Sequence, residues 1–269
     1  MKILIITANY PPDHLGGYEL RIRDIVDGLA ERGHSVRVLT TRKENLKITS
    51  SASTYYPIHR ALHNRYQAKF FPKEVFFDFF NTKFVDQQIK NFKPDLIYLG
   101  HIYILSKAIM PYLADLNIPI VLDEGGASLK GAWTEHGRWF RFAGEYQPHY
   151  GFLNKLKPFI VKLILKLAQN RIKETWRWPN NLHVIFNNQQ NYQKTLALEM
   201  PLKSAQVIHS GVNLNKFPFT PRDHLTLPIK IIYPARIEPL KGQVDAIMLV
   251  KHLKNAGIES HLNLIGPVF

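Results

Sequence analysis

Cysteine is missing altogether from these 269 residues. Its absence excludes disulfides, cysteine metal sites and thiol nucleophiles, and fits a reducing compartment. Long apolar runs are missing too: none approaches the roughly 20 residues that span a bilayer. The apolar run behind Lys2 is also too short for the core of a secretory leader. We therefore expect a cytoplasmic protein, peripheral at the inner face of the membrane where it meets one. No G-x-G-x-x-G follows the first apolar run, which counts against a dinucleotide-binding oxidoreductase. Acidic residues are scarce, with 21 Asp+Glu against 35 Lys+Arg and a net charge of +14. Such an excess favours polyanions in general, whether nucleic acid, anionic headgroups or phosphorylated substrates. The basic residues form no aromatic–basic repeat, so nucleic acid is not expected as a partner.

What is present suits a folded α/β protein. Hydrophobic residues make up 45% of the chain, enough for a sizeable core. The organising stretch is Lys2 to Ala30. Ile3, Leu4, Ile5 and Ile6 form a continuous apolar run, as in a parallel strand covered on both faces. Tyr10-Pro11-Pro12 then stops any regular element. Gly16-Gly17 follows, and behind it Ile22, Ile25, Val26 and Leu29 recur at helical spacing. Strand, glycine loop and helix in that order form a ligand-binding plan, since ligands of open parallel sheets bind beyond the strands' carboxyl ends. A Gly pair at a helix start either turns the chain or leaves backbone N–H groups open to a phosphate.

The block YPPDHLGGYE, its helix and GLAERGHSVRVLT together resemble the opening of the retaining glycosyltransferases of family 4. Tyr10, Pro11, Pro12, Gly16, Gly17, Glu19, Arg32, Gly33 and His34 stand at the family's positions; Asp13-His14-Leu15 puts three residues between prolines and glycines. The resemblance implies a GT-B fold, meaning a Rossmann-like parallel sheet with helices on both faces followed by a second Rossmann-like domain. It implies transfer of a hexosyl-type sugar from a nucleotide-diphosphate donor to an acceptor, with no metal cofactor.

Further along, Ser35–Thr40 reads as a strand and residues 44–67 as irregular. Phe70–Phe92 reads as a helix stopped by Pro94. Asp95–His101 is a strand, Ile104–Leu116 a helix, and Pro119–Asp123 another strand. Glu124–Gly151 reads as a long loop, of the kind that carries function at a strand's carboxyl end. From Pro158 a helix is expected with Ile160, Leu163, Ile164 and Leu167 in one stripe and Lys162, Lys166, Arg171 and Lys173 around it. Such a helix either packs on the sheet with a solvated basic face or lies on a membrane surface. Strands are expected at His183–Phe186 and Gln206–His209, with a helix at Gln189–Leu198 between them. VIHSGVNLNKFPF resembles the family's hinge segment, with Ser210 for the usual Asn and Asn213 for the usual Asp. The expected division is therefore 1–212 as an acceptor-side domain, 213–227 as linker, and 228–269 as the first βαβ of a donor-binding domain.

That last unit carries Ala235-Arg236-Ile237-Glu238-Pro239-Leu240-Lys241-Gly242 after a strand at Ile229–Pro234. The stretch resembles the family's donor-diphosphate pattern G-R-x-x-x-x-K-G, with Ala235 in place of the first Gly. Breaking the donor's C–O bond builds negative charge on the departing diphosphate, so fixed cations there lower the barrier. Arg236 grips phosphate with a planar fork and Lys241 adds a point charge. Gly16 and Gly17 are expected to supply backbone N–H groups to the same donor. A helix at Val244–Asn255 and a strand at His261–Gly266 finish the unit. No Glu-x7-Glu element follows Gly266, so a fragment without turnover of its own is expected.

His101 ends a strand where the family places a histidine near the transferred sugar. It is taken as the catalytic candidate, against the alternative of a structural histidine. Asp123 and Glu124 point to opposite faces of an extended strand and so do not form a glycosidase's facing pair. Together with Tyr10, Asp13 and Glu19 they are candidates for acceptor contacts. The basic surface points to a lipid-linked or phosphorylated acceptor, as in cell-surface polysaccharide synthesis, with an anionic membrane surface as a further partner. The rival reading is a non-catalytic binding module of GT-B type that holds a polyanion or a membrane through its charge.

Overall fold

The computed structural model describes residues 1–13, 16–42, 49–52, 55–126, 129, 137–144, 151–169, 171–200, 202–215, 217–219, 221 and 226–267, without the side chains of 49–52 and 151–154. The chain divides into two compact units, Met1–Ser210 and Gly211–Phe269.

β1 (Lys2–Thr7) lies in the middle of the first unit's sheet. Its side chains alternate between two cores. Leu4 and Ile6 point into one, Ile3 and Ile5 into the other, and all four are buried. This is the two-sided burial that the apolar run predicts. α1 (Gly17–Glu31) covers one side with Ile22 and Val26. It ends at Gly33, whose positive φ of 83° lets its N–H turn back to the Ala30 carbonyl at 2.9 Å. β2 (Ser35–Thr41) then pairs parallel with β1.

The irregular reading of 44–67 needs correction. β3 (Thr49–Ala52) and β4 (Pro57–Leu62) lie within it, followed by a 3-10 turn at Arg65–Gln67; residues 43–48 and 53–54 fall outside the described residues. β3 is all small and mostly polar, as an edge strand can be, and β4 bears His59 and Arg60, so neither shows an apolar period. α2 (Phe71–Phe92) closes at Lys93, in a left-handed conformation (φ 52°) just before Pro94. Its Val85, Ile89 and Phe92 pack on the opposite face of the sheet from α1, in the core of Leu4 and Ile6.

β5 (Leu96–Leu99) pairs with β1 on the side away from β2. The helix after it, α3, spans only Ile109–Leu113 rather than Ile104–Leu116. The start of that segment is a turn instead: the Leu105 amide donates to the Ile102 carbonyl at 3.1 Å, the Ile104 carbonyl accepts the Arg65 amide at 2.9 Å, and Leu105 bridges to Asn64. β6 (Ile120–Glu124) follows. Within the expected loop 124–151, α4 spans Arg138–Ala143, while 127–128, 130–136 and 145–150, Gly131 among them, fall outside the described residues.

α5 runs Gly151–Leu167, so Pro158 sits inside the helix and not at its start. Its buried side is also not the expected stripe. Val161 and, just past the end, Ala168 are buried with Trp139, Phe140 and Ile172, and Ile164 and Leu165 lean on them. β7 (Leu182–Phe186), α6 (Gln189–Leu196) and β8 (Ser204–Val207) complete the unit. The sheet order is β3-β4-β2-β1-β5-β6-β7-β8, with every pairing parallel except β3 with β4. Strand order therefore reverses between β1 and β5, which makes the crevice beyond their carboxyl ends the place for a ligand.

In the second unit, β9 (Ile229–Pro234), α7 (Gln243–Asn255) and β10 (Ser260–Ile265) form one right-sized βαβ, its two strands parallel. Residues 216, 220 and 222–225 of the expected linker fall outside the described residues.

Candidate functional site

The loop after β1 and the loop after β5 open at the reversal point, joined by the Ala8 amide, which donates to the His101 carbonyl at 3.0 Å. Arg60 of β4 fixes the first loop from beside, donating to the Tyr10 carbonyl at 2.9 Å and the Pro11 carbonyl at 2.5 Å. The Asp13 carboxylate lies 3.7 Å from the same guanidinium. Arg60 falls in the segment read as irregular, where no motif or apolar period marks it.

At the start of α1 the Gly16 amide donates to the Glu19 carboxylate at 3.0 Å, as an N3 glutamate does in a capping box. The Gly17 amide has no partner among the described residues. A Cβ added at Gly16 or Gly17 would meet none of the described residues within 4 Å. Neither residue has a positive φ. Local packing among the described residues therefore does not require glycine at either place.

Several expected acceptor contacts turn out to fasten the fold. Tyr10 is buried, with its hydroxyl 2.6 Å from that of Tyr56, which in turn donates to Asp27. Burial and that partner push the Tyr10 hydroxyl far above its ordinary pKa. Glu19 is buried and caps Gly16. Asp123 is buried, accepting from Arg21 Nη1 at 2.7 Å and from the Tyr98 hydroxyl at 2.5 Å. Burial raises its pKa, against the opposing pull of Tyr98 and Arg21. Glu124 takes the Gly126 amide at 2.7 Å and the Leu129 amide at 2.5 Å, so it shapes the turn behind β6. The two neighbours do face different partners, as an extended strand requires. Of the four carboxylates among the five, Asp13 alone is not buried, and it lies against Arg60.

His101 is partly buried beside Tyr18, their rings edge to face at 5.9 Å. Burial lowers its pKa, and the nearby charge of Glu19 opposes that shift in part. Its imidazole is thus neutral near pH 7. Tyr18, which the sequence reading passed over, is the wedge of this region. Its hydroxyl donates to the Asp123 carbonyl at 2.5 Å, and its ring lies where a Cβ on Gly125 would be, only 2.0 Å from Cδ2. Gly125 is therefore required by close approach.

In the second unit, Arg236 Nη2 lies 2.9 Å from Glu238 Oε1, and Lys241 Nζ lies 4.0 Å from the same oxygen. The structure thus brings the two expected donor cations together on one carboxylate. Both remain substantially exposed. The loop is stitched by Gln243 Nε2, which donates to the Arg236 carbonyl at 2.7 Å, and by the Tyr233 hydroxyl, which donates to the Lys241 carbonyl. Gly242 turns into α7 with φ 76°, a conformation that favours glycine. Glu238, Tyr233 and Gln243 were missed, although all three lie within or beside the recognised motif.

A parallel sheet with helices on its faces, reversing at β1/β5 and carrying its polar loops there, defines a Rossmann-like α/β protein. The sequence profile of Glycosyltransferase Family 4 matches residues 15–216, and the chain belongs to that family. No curated protein matches it. Among solved structures it is similar to sucrose-phosphate synthase from Thermosynechococcus elongatus. That match has 12% identity and a TM-score of 0.53, covering 99% of this chain and 70% of the other. It is also similar to the catalytic domain of starch synthase IV from Arabidopsis thaliana, solved with ADP and acarbose. There the identity is 11% and the TM-score 0.53, over 99% of this chain and 68% of the other. At such identities the likeness speaks for the fold, the one found in GT-B glycosyltransferases.

Proposed function

We propose that this glycosyltransferase moves a hexosyl-type sugar from a nucleotide-diphosphate donor to an acceptor with retention at the anomeric carbon. The observation that carries the reading is the pair Arg236 and Lys241, held beside a glycine-started helix and converging on one carboxylate oxygen. Two cations so placed offset the charge that grows on a departing diphosphate, without a metal. The Gly17 amide, next to the Gly16 amide that Glu19 already caps, is assigned to a phosphate oxygen. There, no described neighbour requires glycine, and close approach of a phosphate would. The ADP of the starch synthase relative is a nucleoside diphosphate of the class proposed.

Neutral His101, at the carboxyl end of β5, is assigned to the transferred sugar, where an uncharged imidazole can donate or accept a hydrogen bond. Asp13 is assigned to an acceptor hydroxyl. The acceptor itself is taken as a glycan or lipid-linked precursor of a cell-surface polysaccharide, met by a cytoplasmic enzyme at the inner face of the membrane. The net charge of +14 supports an anionic acceptor or surface.

Titration calorimetry with UDP, GDP and ADP tests the donor site on wild type and Arg236→Ala. At least one nucleotide should bind, and the substitution should weaken it about tenfold or more, the worth of a charge-assisted hydrogen bond. Absence of binding to all three, or an affinity unchanged by the substitution, overturns the assignment.

A further inference from the structure

α5 has two apolar faces, and among the described residues only one of them is packed. Val161, Ile164 and Leu165 face the cluster around Trp139 and Phe140. On the other side Leu156, Phe159, Leu163 and Leu167 are 40%, 67%, 45% and 65% exposed. Their spacing of three, four and four residues lines them up along one stripe of the helix. Lys155, Lys162 and Lys166 are exposed as well, each immediately before one of the three leucines. At 100° per residue this places the lysines in a row along one edge of the stripe. The fourth lysine, Lys157, is turned elsewhere, donating to the Gly144 carbonyl at 2.7 Å. Gly151–Leu167 contains no acidic residue at all.

Singly exposed leucines need no explanation, but a contiguous stripe rimmed by charge of one sign does. We infer that this face of α5 docks on an anionic lipid bilayer. The helix would lie in the plane of the interface, with Phe159 and the leucines at the acyl boundary and Lys155, Lys162 and Lys166 at the headgroup phosphates. Its makeup is that of an interfacial helix: large apolar side chains on one side, lysines beside them, and no carboxylate to repel the surface. Charge complementarity selects lipid over a protein partner, since the whole molecule carries +14 and is drawn to a negative leaflet. No helix of the described residues is long and apolar enough to cross the membrane, so attachment by this face is attachment in the plane. The inference gives the membrane location proposed above a physical seat, but it uses neither Arg236 nor Lys241.

Sedimentation with phosphatidylcholine vesicles, with and without phosphatidylglycerol, tests the idea without any nucleotide present. Failure here therefore leaves the donor site untouched. The wild-type chain should pellet with the anionic vesicles at low salt, and high salt should release it. Lys162→Glu with Lys166→Glu, and separately Phe159→Ser with Leu163→Ser, should each weaken binding about tenfold or more. Unchanged thermal unfolding shows that each variant is folded. As a milder probe, Phe159→Trp should add indole fluorescence that brominated acyl chains quench beyond the wild-type background. Wild-type protein that stays in the supernatant with anionic vesicles overturns the proposal. So do variants that pellet like wild type, an indole at 159 that is not quenched, or self-association abolished by the serine variant, which would make the face a protein interface.

Discussion

The same strand–loop–helix plan occurs in β1–α1 and in β9–α7, yet the two treat their charged groups in opposite ways. Around β1 three of the carboxylates are inside. Glu19, Asp123 and Glu124 are all nearly inaccessible, and each takes up an amide or a guanidinium of its own unit. Around β9 the charges are outside, with Arg236 and Lys241 leaning on Glu238 at the surface. Among the described residues of the second unit, Gln243 is the only polar residue buried as a whole. A buried charge is expensive to leave unpaired, so the first arrangement holds structure. A surface pair contributes little to stability and stays available to a ligand. Acidic groups near a strand end thus serve the fold in one unit, while basic groups in the matching place of the other stand exposed, where the proposed donor would meet them.

The largest effect should come from Asp123→Ala, which strands Arg21 in a buried site. Breaking a buried pair from one side costs about 3–5 kcal/mol, readable as a lower denaturant midpoint. A loss below about 1 kcal/mol, the level of a surface pair, would break the contrast.

Next in size is a pH effect confined to the first unit. Asp78 is buried, and burial together with the charge of Glu74 pushes its carboxyl up to about 7, although Ser106 donates to it at 2.5 Å. The folded chain therefore holds a proton there that the unfolded chain has lost. Stability from this group is full below the unfolded carboxylate range and declines as pH rises toward 7. Asp78→Asn should remove that decline and stabilise the protein at pH 8 by something on the order of 2 kcal/mol. His63 works in the opposite sense. Burial, helped by Arg42 and Lys73, lowers it to about 4, so its contribution is full above the unfolded histidine range and is lost as pH falls toward 4. Melting curves across pH should therefore be compared in an Asp78→Asn, His63→Phe pair, where both slopes vanish. A slope that survives both substitutions would locate the titration elsewhere.

Glu238→Gln should have the smallest effect on stability, within about 0.5 kcal/mol. By unmasking the two cations it should tighten nucleotide binding severalfold by calorimetry. Looser binding would mean that Glu238 orients Arg236 instead of competing for it.

How much of this was legible depended on how local each interaction is. β1, α1, β5, β6 and the β9–α7–β10 unit announced themselves through unbroken apolar runs or a 3.6-residue period. β3 and β4 did not: β3 is a short, mostly polar strand at the sheet's edge, and β4 beside it interrupts its apolar residues with His59 and Arg60. Pro158 suggested a helix start, since proline suits a first turn, but α5 begins at Gly151 and carries that proline in its interior. At the site, Arg236 and Lys241 stood out because the pattern that carries them, Arg236 to Gly242, lies within one short loop. The anchoring of Asp123 was not legible, because Arg21 and Tyr98, which hold it, come from other elements of the sheet and its helices. Strand-end position marks a residue as polar and well placed without saying whether it faces a ligand or its own backbone.

The seat of Tyr18 against Gly125 bears on how this scaffold can be rebuilt. The tip of α1 and the exit of β6 are keyed to each other as ring and notch, so they are inherited or exchanged as one piece. Anyone grafting a relative's segment after Glu124 has to bring a glycine in its first place, or trim the aromatic at position 18 to suit.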